Sequence, residues 1–111
     1  MLQTVTTMSE ASINIARDFS RAPAGRVISD GPNSGERFRD QFLIPALEKS
    51  STITVELDGT RGMGSSFLEE AFGGLVRAGY AADNLLKRIF LRTEDPSLVS
   101  EIETYWRTAS Q

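Results

Sequence analysis

The residue types in this chain restrict the chemistry that it can perform. Its 111 residues include no histidine and no cysteine, so the most common general base, the most common metal ligand and the thiolate nucleophile are all missing. A serine nucleophile would need Lys49 or Lys87 as its base, and neither lies in a recognisable motif. Adjacent carboxylates such as Glu69 and Glu70 point about 100° apart on a helix and do not form an acid–base pair by themselves. We therefore expect no catalytic residues, no metal site, no cofactor and no enzymatic activity.

A segment rich in glycine and serine is the clearest candidate for binding. Its small residues are Gly62, Gly64, Ser65 and Ser66. Ser66 and Glu69 have the spacing of a capping box, in which a serine oxygen accepts a bond from a helix-start amide and contributes about 1 kcal/mol. We favour this structural interpretation over two alternatives, a partner-binding surface and a phosphoserine or anion site. The charges of Glu69 and Glu70 disfavour an anion, and the lysine of a phosphate-binding P-loop is missing.

Two adjacent glycines, Gly73 and Gly74, lie inside a predicted helix. Each costs roughly 1 kcal/mol there relative to alanine, which indicates that other atoms approach closely. We predict tight packing against a neighbouring helix or strand. The alternative is a flat area that a partner protein contacts, together with Glu69 and Glu70.

The first half of the chain contains a second polar set, formed by Asp18, Arg26, Asp30, Ser34 and Arg39. Arg26, Asp30, Ser34 and Arg39 could hold a small anion or a nucleotide, but we favour a structural interpretation in which Asp30 braces Arg26 and caps a turn. Ten of the twelve cations are arginines, and those at 17, 21 and 26 are expected to form surface ion pairs with Asp18, Asp30 and Glu36.

The length, net charge and longest apolar stretches of the chain indicate how many domains it has and which kinds of partner it can bind. A chain of this size fits one domain with one core, which we place at residues 12–111, with residues 1–11 predicted to fray or to add an edge strand. The formal charge of −3 disfavours nucleic acid. The longest apolar stretches are far shorter than the roughly 20 residues that span a bilayer, and the start lacks a signal-peptide pattern. We expect a cytoplasmic protein that binds neither membrane nor nucleic acid.

The N-terminal half is predicted to form a hairpin followed by a helix. Residues 12–16 alternate polar and apolar types, as a strand does, and residues 26–29 follow a Pro- and Gly-containing turn. Asn33 and Glu36 have capping-box spacing and predict a helix start. Pro45 is expected to break or kink that helix near residue 44, with a second piece reaching residue 49.

The C-terminal half is predicted to contain a strand–helix–strand unit. Residues 52–57 are β-branched and alternating, residues 58–64 form a glycine-rich loop, and a helix then runs to Gly79. A short helical turn and a strand at residues 88–92 follow. Asp95 and Pro96 predict the start of a last helix, whose buried face includes Trp106. The predicted fold is α/β: a mixed four- to five-stranded sheet with an N-terminal hairpin, covered by three to four helices mainly on one face.

The segment 53–75, with 18–26 and 30–39, resembles the STAS-like domain family of unknown function. Its wider relatives are the STAS domains of anti-sigma-factor antagonists, small α/β proteins that bind ATPase-fold kinases and switch partners when a helix-start serine is phosphorylated. The resemblance places that serine at Ser66. Gly64 stands where the relatives carry Asp, and Phe67 where they carry Gly, so we predict a binding module rather than a phosphorylation switch.

The leading hypothesis is a regulatory module that binds another protein, such as an ATPase-fold kinase, through the loop and helix between Gly62 and Gly74. The second is a small-anion or nucleotide sensor built on Arg26 and Arg39. The third is a structural module that associates with itself through an exposed sheet edge. The oligomeric state expected under these hypotheses is a monomer or a weak homodimer.

Overall fold

The computed structural model describes residues 9–109, and the sheet within them has three strands instead of the predicted four or five. The strands are β1 (Glu10–Asn14), β2 (Thr52–Glu56) and β3 (Ile89–Arg92). They lie in the order β1–β2–β3, and both neighbouring pairs are parallel, so the prediction of a mixed sheet is wrong for this part of the chain. Residues 1–8, which make up most of the segment predicted to fray or to add an edge strand, lie outside the described residues.

The second strand of the predicted N-terminal hairpin does not form. Asp30 accepts hydrogen bonds from the backbone N–H groups of Arg26 and Val27, both at 3.0 Å, and Glu36 accepts one from the N–H of Ile28 at 2.9 Å. These carboxylates take the donors that a strand would offer to its neighbour. The residues Ile28–Asp30 therefore form a short 3₁₀ turn.

Helical structure occupies most of the rest of the described chain. The α-helices are α1 (Gly35–Phe38), α2 (Ile44–Lys49), α3 (Ser65–Leu68), α4 (Gly74–Arg77), α5 (Ala82–Arg88) and α6 (Pro96–Thr108). Wider π-helical turns occur at Ile15–Phe19, Arg39–Leu43 and Glu69–Gly73. The second of these joins α1 to α2 in one continuous helical segment, 35–49, and the third joins α3 to α4 in the segment 65–77. No helix within residues 9–109 combines the length and apolar character needed to cross a membrane.

The helical segment 35–49 starts one residue later than predicted and does not break. Its N-cap is Ser34, whose Oγ accepts a hydrogen bond from the N–H of Arg37 at 3.2 Å. The predicted box of Asn33 and Glu36 is absent because the Glu36 carboxylate is bound to the 3₁₀ turn. Near Pro45 the chain forms a π-turn in place of a break, which gives the proline ring the extra room that a regular α-turn would deny it.

The strand–helix–strand unit of the C-terminal half is confirmed. β2 and β3 pair in parallel, and the chain that connects them forms the segment 65–77 and α5. Gly79 has a φ of +112°, and the N–H of Tyr80 bonds to the carbonyl of Leu75 at 3.0 Å, which ends the helix as predicted. The Asp95 carboxylate accepts a bond from the N–H of Ser97 at 3.0 Å and caps α6.

The core lies between one face of the sheet and the helices. In β2, Ile53 and Val55 are fully buried, whereas Thr54 between them is only half-buried. Ile13 in β1 and Ile89 in β3 continue the buried face. The opposite face is polar and carries Phe90, which is half-exposed. The predicted core residues Ile102 and Trp106 of α6 are buried, and Trp106 packs edge-on against Phe72 at 6.2 Å between ring centroids.

Candidate functional site

The glycine-rich loop begins where β2 ends, and side-chain bonds to the end of β3 fix it there. Asp58 accepts hydrogen bonds from the Thr93 hydroxyl at 2.6 Å and from the N–H of Glu94 at 2.9 Å. Gly59 and Gly62 have φ values of +102° and +130°, which side-chain-bearing residues rarely adopt. The loop therefore reverses tightly at the carboxyl edge of the sheet and delivers the chain to α3.

The start of α3 is held by backbone alone. Gly64 is the N-cap and makes no side-chain capping bond, while its carbonyl accepts the N–H of Leu68 at 3.1 Å. The predicted capping box of Ser66 and Glu69 is therefore wrong. Ser65 and Ser66 are both exposed, and a Cβ built on Gly62 or Gly64 would meet no atom of the described residues within 4 Å. We call Gly62, Gly64, Ser65 and Ser66 the open helix start.

One turn further along the helix, two glutamates bind three arginines. Glu69 accepts hydrogen bonds from Arg26 at 2.5 Å and from Arg77 at 2.7 and 3.1 Å. Glu70 accepts one from Arg39 at 2.6 Å and has weaker contacts to Arg26 and Arg77 at 3.5 and 3.4 Å. We call these five residues the ion-pair cluster. It ties the 3₁₀-turn region and the segment 35–49 to the segment 65–77.

Within the cluster, the contacts of Arg39 are the least accessible to solvent. The Arg39 and Glu70 side chains are only 13% and 15% exposed. Arg39 also donates from Nη1 to the backbone carbonyl of Glu70 at 3.0 Å and from Nε to Asp40 at 2.9 Å. A charge-assisted pair so shielded from water is stronger than an ordinary surface ion pair. Arg39 therefore acts as a structural clamp between the two helical segments.

The arginines also set the protonation state of Glu69. The hydrogen bond from Arg77 has the largest effect and lowers the pKa of its carboxyl below the ordinary value of 4.5; burial opposes it, and the hydrogen bond from Arg26 lowers the pKa further. The same pairs raise the pKa of Arg26 and of Arg77. Glu69 is consequently ionised at neutral pH and cannot act as a general acid there.

Gly73 and Gly74 are required by this cluster. A Cβ on Gly73 would lie 2.7 Å from Oε2 of Glu69, and one on Gly74 would overlap Nη1 of Arg39 and lie 3.1 Å from its Cδ. Both glycines are buried. The prediction of tight packing is confirmed: the atoms that approach Gly74 belong to Arg39 of the neighbouring helical segment 35–49, whereas those nearest to Gly73 belong to Glu69 of its own segment. The alternative of an exposed flat area is wrong.

The predicted ligand-binding set of the N-terminal half is not brought together as one site. Ser34 is completely buried as a helix cap, and Asp30 binds backbone N–H groups, which lower the pKa of its carboxyl. Asp30 thus caps the turn as predicted, but the Arg26 guanidinium turns away from it to Glu69. Arg39 is bound to Glu70. Asp18 lies apart from these residues and forms the expected surface pair with Arg17, at 2.9 Å.

Two residues that sequence reasoning missed complete the arrangement. Arg77 follows Glu69 by eight residues, a spacing that places both on one face of a helix, so helical periodicity could have found it. Gly35 is buried, and a Cβ there would lie 2.5 Å from the carbonyl oxygen of Phe67 and 3.0 Å from the nitrogen of Ala71. No local pattern marks this glycine, because its constraint comes from a segment more than thirty residues away.

A cleft of about 340 Å³ lies beside the open helix start. The loop residues Gly62 and Met63 form one side, and Leu98 and Glu101 at the start of α6 form the other. Glu101 accepts a hydrogen bond from the hydroxyl of Tyr105 at 2.6 Å, which raises the pKa of that tyrosine to about 12. The cleft makes the surface beside the loop concave, and Met63 and Leu98 give it a partly apolar lining.

Family-level comparison matches residues 34–98 to the STAS-like domain of unknown function. Because this match covers more than half of the 111 residues, the chain belongs to that family, as its motifs predicted. Comparisons with the curated proteins and with the solved structures give no match. The matched region contains the open helix start and all of the ion-pair cluster except Arg26.

Proposed function

We propose that this STAS-like domain is a regulatory module that binds another protein through the open helix start and the adjoining cleft. It acts by presenting a fixed surface and performs no catalysis. This surface is smaller than the one predicted from the sequence. Glu69 and Glu70 belong to the ion-pair cluster behind it, and Gly73 and Gly74 pack against the side chains of that cluster.

The observation that carries this proposal is the exposure of Ser65 and Ser66. Serines at helix starts are usually explained by capping, but here Gly64 supplies the cap and neither serine is needed for it. Both serines are exposed, and Gly62 and Gly64 beside them have no side chains. A partner backbone can therefore approach closely and find two hydroxyl groups, each able to donate and accept hydrogen bonds.

Rigidity behind this surface supports the same proposal. Binding loses less free energy when the contact surface is already ordered, because fewer side-chain and loop motions are frozen. The ion-pair cluster fixes the helix one turn behind Ser66, and the bonds of Asp58 fix the loop in front of it. The open helix start is thus a pre-organised element between two anchors.

The groups available near this surface favour binding over catalysis. The chain has no histidine or cysteine, and the first carboxylate after the serines along the helix, Glu69, is held ionised by arginines. Among residues 9–109 no side chain accepts a hydrogen bond from the hydroxyl of Ser65 or Ser66, which disfavours an activated nucleophile. As partner we propose a protein, with an ATPase-fold kinase as the first candidate on the resemblance to anti-sigma-factor antagonists.

Capture from an extract of the native host, with proteins identified by mass spectrometry, tests this proposal. Gly64→Arg adds bulk where there is open space and where φ is −70°, so it should not strain the backbone. Ser66→Asp adds a negative charge near a helix N-terminus, where it stabilises the helix. Both variants should keep the fold and lose the captured partner.

Thr104→Arg and Thr104→Asp are matched controls, since Thr104 is exposed on α6 and its hydroxyl bonds only to the Ser100 carbonyl. The controls should capture the partner as the wild type does. If the Gly64 and Ser66 variants capture it equally well, the proposed surface is wrong. Gly73→Arg is unsuitable as a test, because it would disrupt the ion-pair cluster and the fold with it.

A further inference from the structure

The outer edge of β3 is a second surface with unsatisfied bonding capacity, separate from the open helix start. β3 pairs with β2 on one side, and within residues 9–109 no strand pairs with its other side. Phe90, in the middle of β3, is 51% exposed on the uncovered face of the sheet. An edge strand with a neighbouring exposed aromatic residue is a recognised template for pairing with another strand.

The β2–β3 ladder determines which backbone groups point outward. The carbonyl of Arg92 accepts the N–H of Leu57 at 2.9 Å, and Thr54 is paired with Phe90. In a parallel ladder, alternate residues direct both their N–H and C=O groups to the same side. Phe90 and Arg92 therefore bond to β2, while Leu91 directs both its N–H and its C=O outward. Ile89 offers only its C=O there, because its N–H is bonded to the carbonyl of Leu85 at the end of α5.

We propose that two copies of this chain associate through an antiparallel pairing of their β3 strands. Such a contact has two-fold symmetry. The symmetry axis must pass through a residue and not between two residues, because a register shifted by one would place side chains of the buried face opposite side chains of the open face. The two possible centres in the middle of the strand are Phe90 and Leu91. They differ in which residue of the second copy lies opposite Phe90.

Charge complementarity selects the pairing centred on Leu91. A pairing centred on Phe90 places Phe90 opposite itself and Arg92 opposite residue 88. The Arg88 guanidinium is held by the carbonyls of Leu47 and Ser50 at 2.6 and 2.8 Å, so this pairing gives Arg92 no complementary group. The pairing centred on Leu91 places Phe90 opposite Arg92, which is exposed. Phe90 and Arg92 then form a non-hydrogen-bonded pair, the type with the closer side chains, which suits a cation–π contact that occurs twice by symmetry.

Leu91 is itself an outward-bonding residue, so the same centre gives a hydrogen-bonded pair at the symmetry axis. Its side chain lies on the buried face, where two leucines would extend the core across the contact. The result is a continuous six-stranded sheet formed by two chains.

The mass of the full-length chain measured by sedimentation over a wide concentration range tests this dimer. We expect the mass to rise from 12.2 kDa to twice that value and no further. Phe90→Lys should raise the dimer dissociation constant by about tenfold or more, because it removes both cation–π contacts and places like charges opposite each other. Ile28→Lys replaces another exposed apolar residue away from β3 and should leave the dissociation constant unchanged.

Cysteine cross-linking tests the register, since the chain has no cysteine of its own. A mixture of Phe90→Cys and Arg92→Cys chains should form a disulfide between the two variants, whereas Phe90→Cys alone should not. A disulfide formed by Phe90→Cys alone would show the other register and contradict the proposal. A mass that stays at 12.2 kDa at every concentration would overturn it, leaving the edge to a strand from a different protein.

Discussion

The open helix start leads into the helical segment that carries both glutamates of the ion-pair cluster, yet the two regions differ in almost every physical respect. The first is exposed, uncapped by side chains and surrounded by open space. The second, only three residues later, is partly buried and engages every carboxylate it contains. Residues that are neighbours in sequence therefore have separate tasks: the cluster fixes the position of the helix, and the open start is available for a partner.

If this division is correct, substitutions in the supporting region should lower stability, whereas those in the open region should alter only binding. The largest effect is expected at Gly35. Gly35→Ala places a methyl group against the backbone of Phe67 and Ala71, which cannot move as a flexible side chain can. We expect a loss of about 3 kcal/mol in the free energy of unfolding, measured by urea denaturation.

Gly64→Ala is the matched control for this substitution. Gly64 has a negative φ, and no atom of residues 9–109 lies within 4 Å of the added methyl group. Alanine is a poorer N-cap than glycine, but the free energy of unfolding should still fall by less than about 1 kcal/mol. Equal losses at Gly35 and Gly64 would remove the distinction between a supporting and an open region.

The second effect concerns Gly74, where the sign of the change should depend on Arg39. In the wild type, Gly74→Ala displaces the Arg39 guanidinium from Glu70 and should destabilise the fold by about 1 to 2 kcal/mol. In an Arg39→Ala background the obstacle is gone, and the same substitution should stabilise by up to about 1 kcal/mol through helix propensity. A double-mutant cycle in urea measures the coupling. Additive effects would show that Arg39 does not determine the need for glycine.

A third comparison uses two serines at two helix starts. Ser34 is buried and caps α1, so Ser34→Ala should cost about 1 kcal/mol. Ser66 makes no capping bond, so Ser66→Ala should leave the free energy of unfolding nearly unchanged. Thermal and urea unfolding of the two variants, made in parallel, would decide between the observed caps and the capping box predicted at Ser66.

These two serines also show how far the sequence could be read. Local patterns identified the helix starts to within one or two residues, together with β2, β3 and the cap of α6, because those signals depend on neighbours a few positions away. The same patterns wrongly paired Ser66 with Glu69 in a capping box. Spacing alone cannot reveal that Glu69 is bound by Arg26, which lies more than forty residues earlier in the chain.

The predicted hairpin failed for the same reason. Residues 26–29 have strand-like composition, but Asp30 and Glu36 bind the N–H groups that a strand would need. The glycine pair at 73 and 74 was correctly linked to close packing. The identity of the packed groups could not follow from sequence, because it depends on where the segment 35–49 places Arg39.

The smallest expected effect is a pH dependence that originates in the cluster. The pKa of Glu69 is lower in the folded chain than its ordinary value of 4.5, so the stabilisation is present above that value and is lost as the pH falls through the folded-state pKa. Glu69→Gln should therefore flatten the decline in the free energy of unfolding below about pH 4.5, by no more than about 1 kcal/mol.

Arg77→Met provides the complementary test, because the bond from Arg77 is the largest cause of the lowered pKa of Glu69. Without it the Glu69 carboxyl should bind a proton at higher pH, which moves its part of the acid-side decline toward pH 4.5. Urea titrations between pH 2.5 and 7, a range chosen to bracket that transition, measure both variants. Profiles parallel to that of the wild type would mean that the cluster holds the helix by geometry alone, and that the charge on Glu69 contributes nothing to the support of the open helix start.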